Sequence, residues 1–156
     1  MTRLAIIDGI RTPFTKAGTD LKSLPAQDLG RMAVTELLER TSLDRHEVSQ
    51  VIFGNVAQPP EAANIARVIA LNADIPQEIP AYTVHRNCAS GFEAITSAYE
   101  KMASGEGDVF VVGGTESMSN IPLLFKQTTA AKFGRLSRAR NIGQKLRSLA
   151  SFRLPD

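Results

Sequence analysis

The chain has 156 residues, of which 43% are apolar and 22% charged, the proportions of one globular domain able to bury a core. No stretch approaches the ~20 apolar residues of a membrane span, and no signal core or Arg/Ser-rich transit segment opens it, so a cytoplasmic compartment is expected. The net charge of +2 hides an asymmetry: residues 1–125 carry 10 Lys/Arg against 15 Asp/Glu, whereas residues 126–156 carry 8 Lys/Arg and one acid, Asp156. One cysteine excludes an internal disulfide framework and a Cys-based zinc site, and two scattered histidines, His46 and His85, argue against any metal centre.

Leu4-Ala5-Ile6-Ile7 predicts a short buried strand, followed by a turn at Arg11-Thr12-Pro13-Phe14, where Pro13 holds Thr12 extended. Asp28 is placed to cap a helix running to about Arg40, with Leu29, Met32, Ala33, Leu37 and Leu38 on its apolar face. Val51 to Val56 reads as a second strand ended by Pro59-Pro60, and Asn64 to Ala73 as a second helix. Two further strands, 81–86 and 109–113, flank a third helix marked by Phe92, Ile95, Ala98, Tyr99 and Met102 and stopped by Gly105. The order βαβαβαβ with continuously apolar strands predicts an α/β domain, a mostly parallel sheet covered by helices, over residues 1–118. Residues 119–156 lack the strand pattern and form a separate basic segment.

Cys88 falls where strand turns into helix, in His85-Arg86-Asn87-Cys88-Ala89-Ser90-Gly91. A thiol there faces the free N–H groups of the helix start, whose partial positive charge favours thiolate, the nucleophilic form. Ala89, Ser90 and Gly91 are small enough for a substrate to approach the sulfur. Parallel sheets bind ligands at the carboxyl ends of their strands, where this cysteine lies. The bland alternative is a small buried hydrophobe without chemistry.

Three motifs stand in order: Arg11-Thr12-Pro13-Phe14, Asn87-Cys88-Ala89-Ser90-Gly91, and Gly113-Gly114-Thr115-Glu116-Ser117-Met118-Ser119. Gln27-Asp28-Leu29-Gly30 and Asn64-Ile65-Ala66-Arg67 lie between them. Over about residues 3–125 this set resembles the amino-terminal half of the thiolases, acyl-CoA C-acyltransferases that cleave 3-ketoacyl-CoA or condense two acyl-CoA units. The resemblance implies that Cys88 carries the acyl group as a thioester. Asn87, Ser90, Gly91, Gly114 and Glu116 then support the elbow, with Glu116 structural rather than catalytic. Coenzyme A enters as substrate, with no resident cofactor. His85 departs from the small polar residue usual three places before the cysteine; on an extended strand it stands about 10 Å away, so a packed or dimer-facing role outranks a base.

The basic run from Leu136 to Arg147 is similar to the insertion of thiolase β subunits in fatty-acid oxidation complexes, which implies a hydratase/dehydrogenase partner subunit. Its cations Arg138, Arg140, Lys145 and Arg147 are candidates for the phosphates of coenzyme A, an acidic partner or, ranked lower, an anionic membrane surface. No aromatic stacking set accompanies them, which argues against nucleic acid. The resemblance further implies a homodimer or higher oligomer. It places the second sheet, the catalytic histidines and a second cysteine in a carboxyl-terminal half, so the chain is expected to be an inactive fragment. A biosynthetic acetyl-CoA acetyltransferase, another condensing enzyme and a non-catalytic assembly module stay open as alternatives.

Overall fold

The computed structural model describes residues 3–139 and 141–152, in two compact units that divide after Pro122. In chain order the regular elements are α1 (Ala26–Thr41), β1 (Gln50–Gly54), α2 (Ile65–Asn72), β2 (Ala81–Val84), α3 (Ser90–Ala103), β3 (Phe110–Gly114), α4 (Gln127–Arg138) and α5 (Ile142–Ala150).

The three strands form a parallel sheet in the order β2-β1-β3, with Phe53 opposite Thr83 on one side and Gly113 on the other. The β1–α2–β2 connection moves one way along the sheet, and β2–α3–β3 returns past β1 the other way. Crossovers of one hand that move in opposite directions lie on opposite faces. Accordingly Val51, Phe53 and Val111 pack against Val34 and Leu38 of α1 and Ile65 and Ile69 of α2. Ile52 points the other way, with Tyr82, Val84, Phe110 and Val112, against Ala94 and Ala98 of α3. The strand order reverses at β1, and the reversal leaves a crevice at the carboxyl ends of the strands.

Asn64 caps α2: its Oδ1 accepts from the Arg67 N–H at 3.3 Å, while its Nδ2 donates to the Ala81 carbonyl at 3.0 Å. Arg67 continues the attachment, donating to the carbonyls of Ile79 (2.9 Å) and Gln77 (2.6 Å). This accounts for the Asn-Ile-Ala-Arg motif, which ties the second helix to the approach of β2.

Several expectations are corrected. Leu4-Ala5-Ile6-Ile7 forms no strand; Ile6 and Ile7 are 77% and 85% exposed, and among the described residues the sheet has three strands rather than four. An apolar run reports a need for cover without saying which edge receives it, and neither β2 nor β3 pairs with this one. Asp28 is not a cap: α1 begins two residues earlier, after Pro25, which takes the extended cap position, and Asp28 sits within the first turn, where its negative charge suits the helix start. Met32 is exposed and Val34 takes its place in the core. In α3 the sheet receives the small Ala94 and Ala98, so the helix lies close to the strands and turns Phe92 and Tyr99 outward. The strand after Gln50 ends at Gly54, not Val56.

In the second unit, α4 and α5 are linked by a cluster of aromatic rings. Phe133 meets Phe125 at 5.3 Å and Phe152 at 5.0 Å between centroids. Among the described residues no helix is long and apolar enough to cross a membrane.

Candidate active site

β2 ends at Val84, and the chain must reverse within five residues to enter α3. Asn87 makes the reversal with φ +48°, a left-handed conformation that asparagine tolerates better than most residues. Ser90, the first residue of α3 and 96% buried by its 4% exposure, locks the turn. Its hydroxyl accepts from the Arg86 N–H and donates to the Asn87 carbonyl, both at 2.7 Å. Ala89 N–H reaches the Arg86 carbonyl at 3.1 Å. Cys88 stands at the crest of this turn with its side chain exposed.

The turn is pressed against the ends of the other two strands. A Cβ on Gly54, the last residue of β1, would stand 2.4 Å from the Ser90 carbonyl carbon. A Cβ on Gly114 would stand 3.1 Å from the Gly91 Cα. Only glycine admits backbone at the first separation, and the second is tighter than ordinary contact, so the two strand-terminal glycines set how deeply α3 sits over the sheet.

Beyond β3, the Glu116 carboxylate gathers the loop that follows β1. Oε2 accepts from the N–H groups of Val56 (2.9 Å) and Ala57 (3.1 Å), and Oε1 from Asn55 Nδ2 (3.1 Å). Asn55 Nδ2 also donates to the Thr115 carbonyl at 2.9 Å, which fixes the amide orientation and leaves Oδ1, buried, without a partner among the described residues. The bonds of Glu116 therefore go to the loop after β1 rather than to residues 86–91. Thr115 Oγ1 donates to the Ala26 carbonyl (2.6 Å) and Ser117 Oγ to that of Leu24 (2.9 Å), holding this loop to the start of α1.

Together these loops enclose a cleft of about 1030 Å³ lined in part by Asn87, Cys88, Ser90, Gly91, Gly114 and Glu116. Six of the residues singled out from sequence thus meet in one place, although 28 positions separate Cys88 from Glu116 in the chain. Arg11 and Lys16 bring positive charge to the same cleft, whose remaining lining is largely apolar. Arg138, Lys145 and Arg147 stand on the second unit, and Arg140 lies outside the described residues. Arg138 Nε donates to the Gly134 carbonyl of its own helix at 2.9 Å. His85 is exposed rather than packed.

Sequence reasoning passed over Gly54 and Asn55, although a Gly-Asn pair closing a buried strand marks a sheet's carboxyl edge. It also passed over the ion pair between Arg86 Nη1 and Glu93 Oε2 at 2.5 Å. The Glu93 hydrogen bond first, and its charge second, hold the Arg86 guanidinium above its ordinary pKa. Among the described residues no three His, Cys, Asp or Glu side chains are grouped to hold a metal ion.

Comparison with known proteins agrees with this geometry. A family profile for the thiolase N-terminal domain matches residues 4–146. The chain is 40% identical over 154 residues to a 3-ketoacyl-CoA thiolase of Pseudoalteromonas translucida (strain TAC 125), covering 99% of this chain and 35% of the relative. A 3-ketoacyl-CoA thiolase of Aeromonas salmonicida (strain A449) is 41% identical over the same share. The fold is similar to a crystal structure of the Bacillus anthracis acetyl-CoA acetyltransferase, with TM-score 0.73 and 37% identity over 77% of this chain and 30% of that one. It is equally similar, at TM-score 0.73 and 32% identity over 76% of this chain and 31% of the other, to the Acat5 thiolase of Ascaris suum in complex with coenzyme A. The chain therefore spans about a third of the length of the curated relatives it matches. By its matched domain, its relatives and its fold, it belongs to the thiolase family.

Proposed function

We propose that this chain supplies the nucleophile of a 3-ketoacyl-CoA thiolase, an acetyl-CoA C-acyltransferase of fatty-acid β-oxidation, and that Cys88 is that nucleophile. The observation that carries the reading is an exposed thiol, on a turn locked by a buried serine, in a cleft on the carboxyl edge of a parallel sheet. In thiolytic cleavage the Cys88 thiolate adds to the C3 carbonyl of the 3-ketoacyl-CoA. The C2–C3 bond then breaks, its electron pair leaving as the enolate of acetyl-CoA, which takes up a proton. The shortened acyl group remains on Cys88 as a thioester. The thiolate of free coenzyme A attacks the thioester carbonyl, releasing the shortened acyl-CoA and restoring the Cys88 thiolate.

Coenzyme A is a substrate here, and the scheme calls for no resident cofactor. The acid–base groups and part of the oxyanion stabilisation belong, in this reading, to polypeptide corresponding to the rest of the relatives' length. Asn87, Ser90, Gly91 and Gly114 position the elbow, and Glu116 fixes the loop opposite. The basic helices α4 and α5 bind the phosphates of coenzyme A or an acidic partner subunit, ahead of a membrane surface. A cytoplasmic homodimer or larger assembly, with a hydratase/dehydrogenase partner, completes the proposal. The likeness to the Bacillus anthracis acetyl-CoA acetyltransferase favours a second reading, biosynthetic condensation of two acetyl units.

The test is acyl transfer to the protein from acetyl-CoA and from a long-chain 3-ketoacyl-CoA, read by peptide mass mapping. Acylation confined to Cys88 and lost in Cys88→Ala is expected. A long-chain donor outpacing acetyl-CoA favours the degradative direction. An accessible Cys88 thiol that neither donor acylates, with or without a complementing carboxyl-terminal polypeptide, overturns the proposal.

A further inference from the structure

We propose that Leu29 and Ala33 of α1, with Phe53 of β1, form the wall against which the carbon chain of the acyl group on Cys88 lies, and that the small Ala33 side chain leaves room for a chain longer than acetyl. The inference rests on Cys88 being the acyl carrier, as argued above, and it decides between the two substrate classes named there. These three residues and Cys88 line one cleft of about 1030 Å³, the size of a site that encloses most of a drug-sized ligand. An acetyl group touches little of such a space, whereas an acyl chain of several carbons fills its apolar part.

The cleft is closed on the α3 side, where Gly54 and Gly114 meet the backbone of Ser90 and Gly91 with no side chain between. Its lining continues instead onto α1 and the segment of residues 10–17. Leu29 and Ala33 are one helical turn apart and share a face of α1. Gly30 lets that face approach the loop after β3, since a Cβ on it would lie 3.4 Å from Thr115 Cγ2. The bonds from Thr115 and Ser117 to the carbonyls of Ala26 and Leu24 then fix the wall relative to the strand ends. Leu29 and Phe53 are buried and form the floor, while Ile121 stands exposed at the rim. The charged lining groups leave this floor apolar. Arg11 and Lys16 are exposed and keep their charges in water, and the Glu116 carboxylate already accepts from three N–H groups. A phosphate or carboxylate finds no donor on the side chains of Leu29, Ala33 and Phe53; a hydrocarbon chain needs none.

The experiment measures alkylation of Cys88, on the full chain, by N-alkylmaleimides of increasing chain length from ethyl to octyl. The sulfur adds to the maleimide double bond and the neighbouring carbon takes up a proton, so no acid–base group of a thiolase is needed. N-acetylcysteine supplies the reference rate for each reagent. In the wild type the rate relative to that reference is expected to rise with each added methylene, by at most roughly fourfold, until the cleft is filled. Ala33→Phe should lower the octyl-to-ethyl ratio roughly tenfold, the effect of excluding about two methylenes. Ile121→Glu, a rim substitution outside the core, should lower the ratio as well, and it decides the matter if circular dichroism shows that Ala33→Phe does not fold. A wild-type profile as flat as that of N-acetylcysteine overturns the inference, as does an unchanged ratio in either folded variant. So does loss of the chain-length dependence when a complementing carboxyl-terminal polypeptide is added, because protein rather than an acyl chain then fills the cleft. Absence of acyl transfer to a Cys88 that the maleimides alkylate with this dependence counts instead against the proposed function.

Discussion

Gly54→Ala is the sharpest probe of how the sheet positions the cysteine. The added Cβ would lie 2.4 Å from the Ser90 carbonyl carbon, 2.5 Å from its oxygen and 2.7 Å from the Gly91 nitrogen. All three are backbone atoms, so no side-chain rotation relieves the contact, and ordinary van der Waals separation begins at 3.4 Å. The start of α3 must therefore retreat by about 1 Å, and overpacking of this kind costs about 1–3 kcal/mol. A displacement of that size at a reacting group lowers the rate on the order of 10²-fold. The denaturation midpoint and the rate of Cys88 acylation should fall together. Gly91→Ala is the control for stability alone: its nearest foreign atom would be 3.8 Å away, within ordinary contact, and alanine favours the helix it joins. Equal stability and equal acylation for Gly54→Ala and the wild type would refute the view that the strand end fixes the helix.

Ser90→Ala removes the two hydrogen bonds that its hydroxyl makes to the Arg86 N–H and the Asn87 carbonyl, and at about 0.5–1.5 kcal/mol for each, chemical denaturation should record a loss of about 1–3 kcal/mol. Glu116→Gln keeps the shape of the side chain but turns one oxygen into an NH₂ facing N–H donors of the Asn55-Val56-Ala57 loop. A cost of about 1–2 kcal/mol, with protease cleavage appearing within that loop, is the expected result, and unchanged stability would show that the loop holds itself. Lys101 Nζ donates to Glu106 at 2.6 Å and holds that carboxylate below its ordinary value of 4.5. A depressed carboxylate contributes stability above its unfolded pKa and loses it as pH falls through the folded one. Thermal melts of Glu106→Gln should thus lie below the wild type at neutral pH and converge with it below about pH 4.5, with the opposite trend as the refuting result.

Much of the fold was legible because helices and buried strands write their periods directly into the chain. The positions of α2, β2, α3 and β3 follow from apolar spacing, and Asn64 and Gly105 punctuate them as a cap and a stop should. The failures share one cause. Periodicity reports that Ile6 and Ile7 are apolar, but cover comes from a neighbour that the run itself does not specify. The Phe92-Ile95-Ala98/Tyr99-Met102 stripe is helical in spacing, yet the sheet takes Ala98 from it together with Ala94, because small residues permit the close approach demanded by Gly54 and Gly114.

The sequence by itself determined that a lone cysteine stands at a strand-to-helix junction, that parallel β/α units surround it, and that a basic segment follows. These are local properties, set by backbone propensity and side-chain spacing. Only the tertiary structure decided that Gly54 abuts Ser90, that Glu116 gathers the loop after β1, and that Arg86 is paired with Glu93. Each of those contacts depends on how the chain turns at the strand ends, and a strand order of β2-β1-β3, which sets which ends meet, is written in no single stretch of residues.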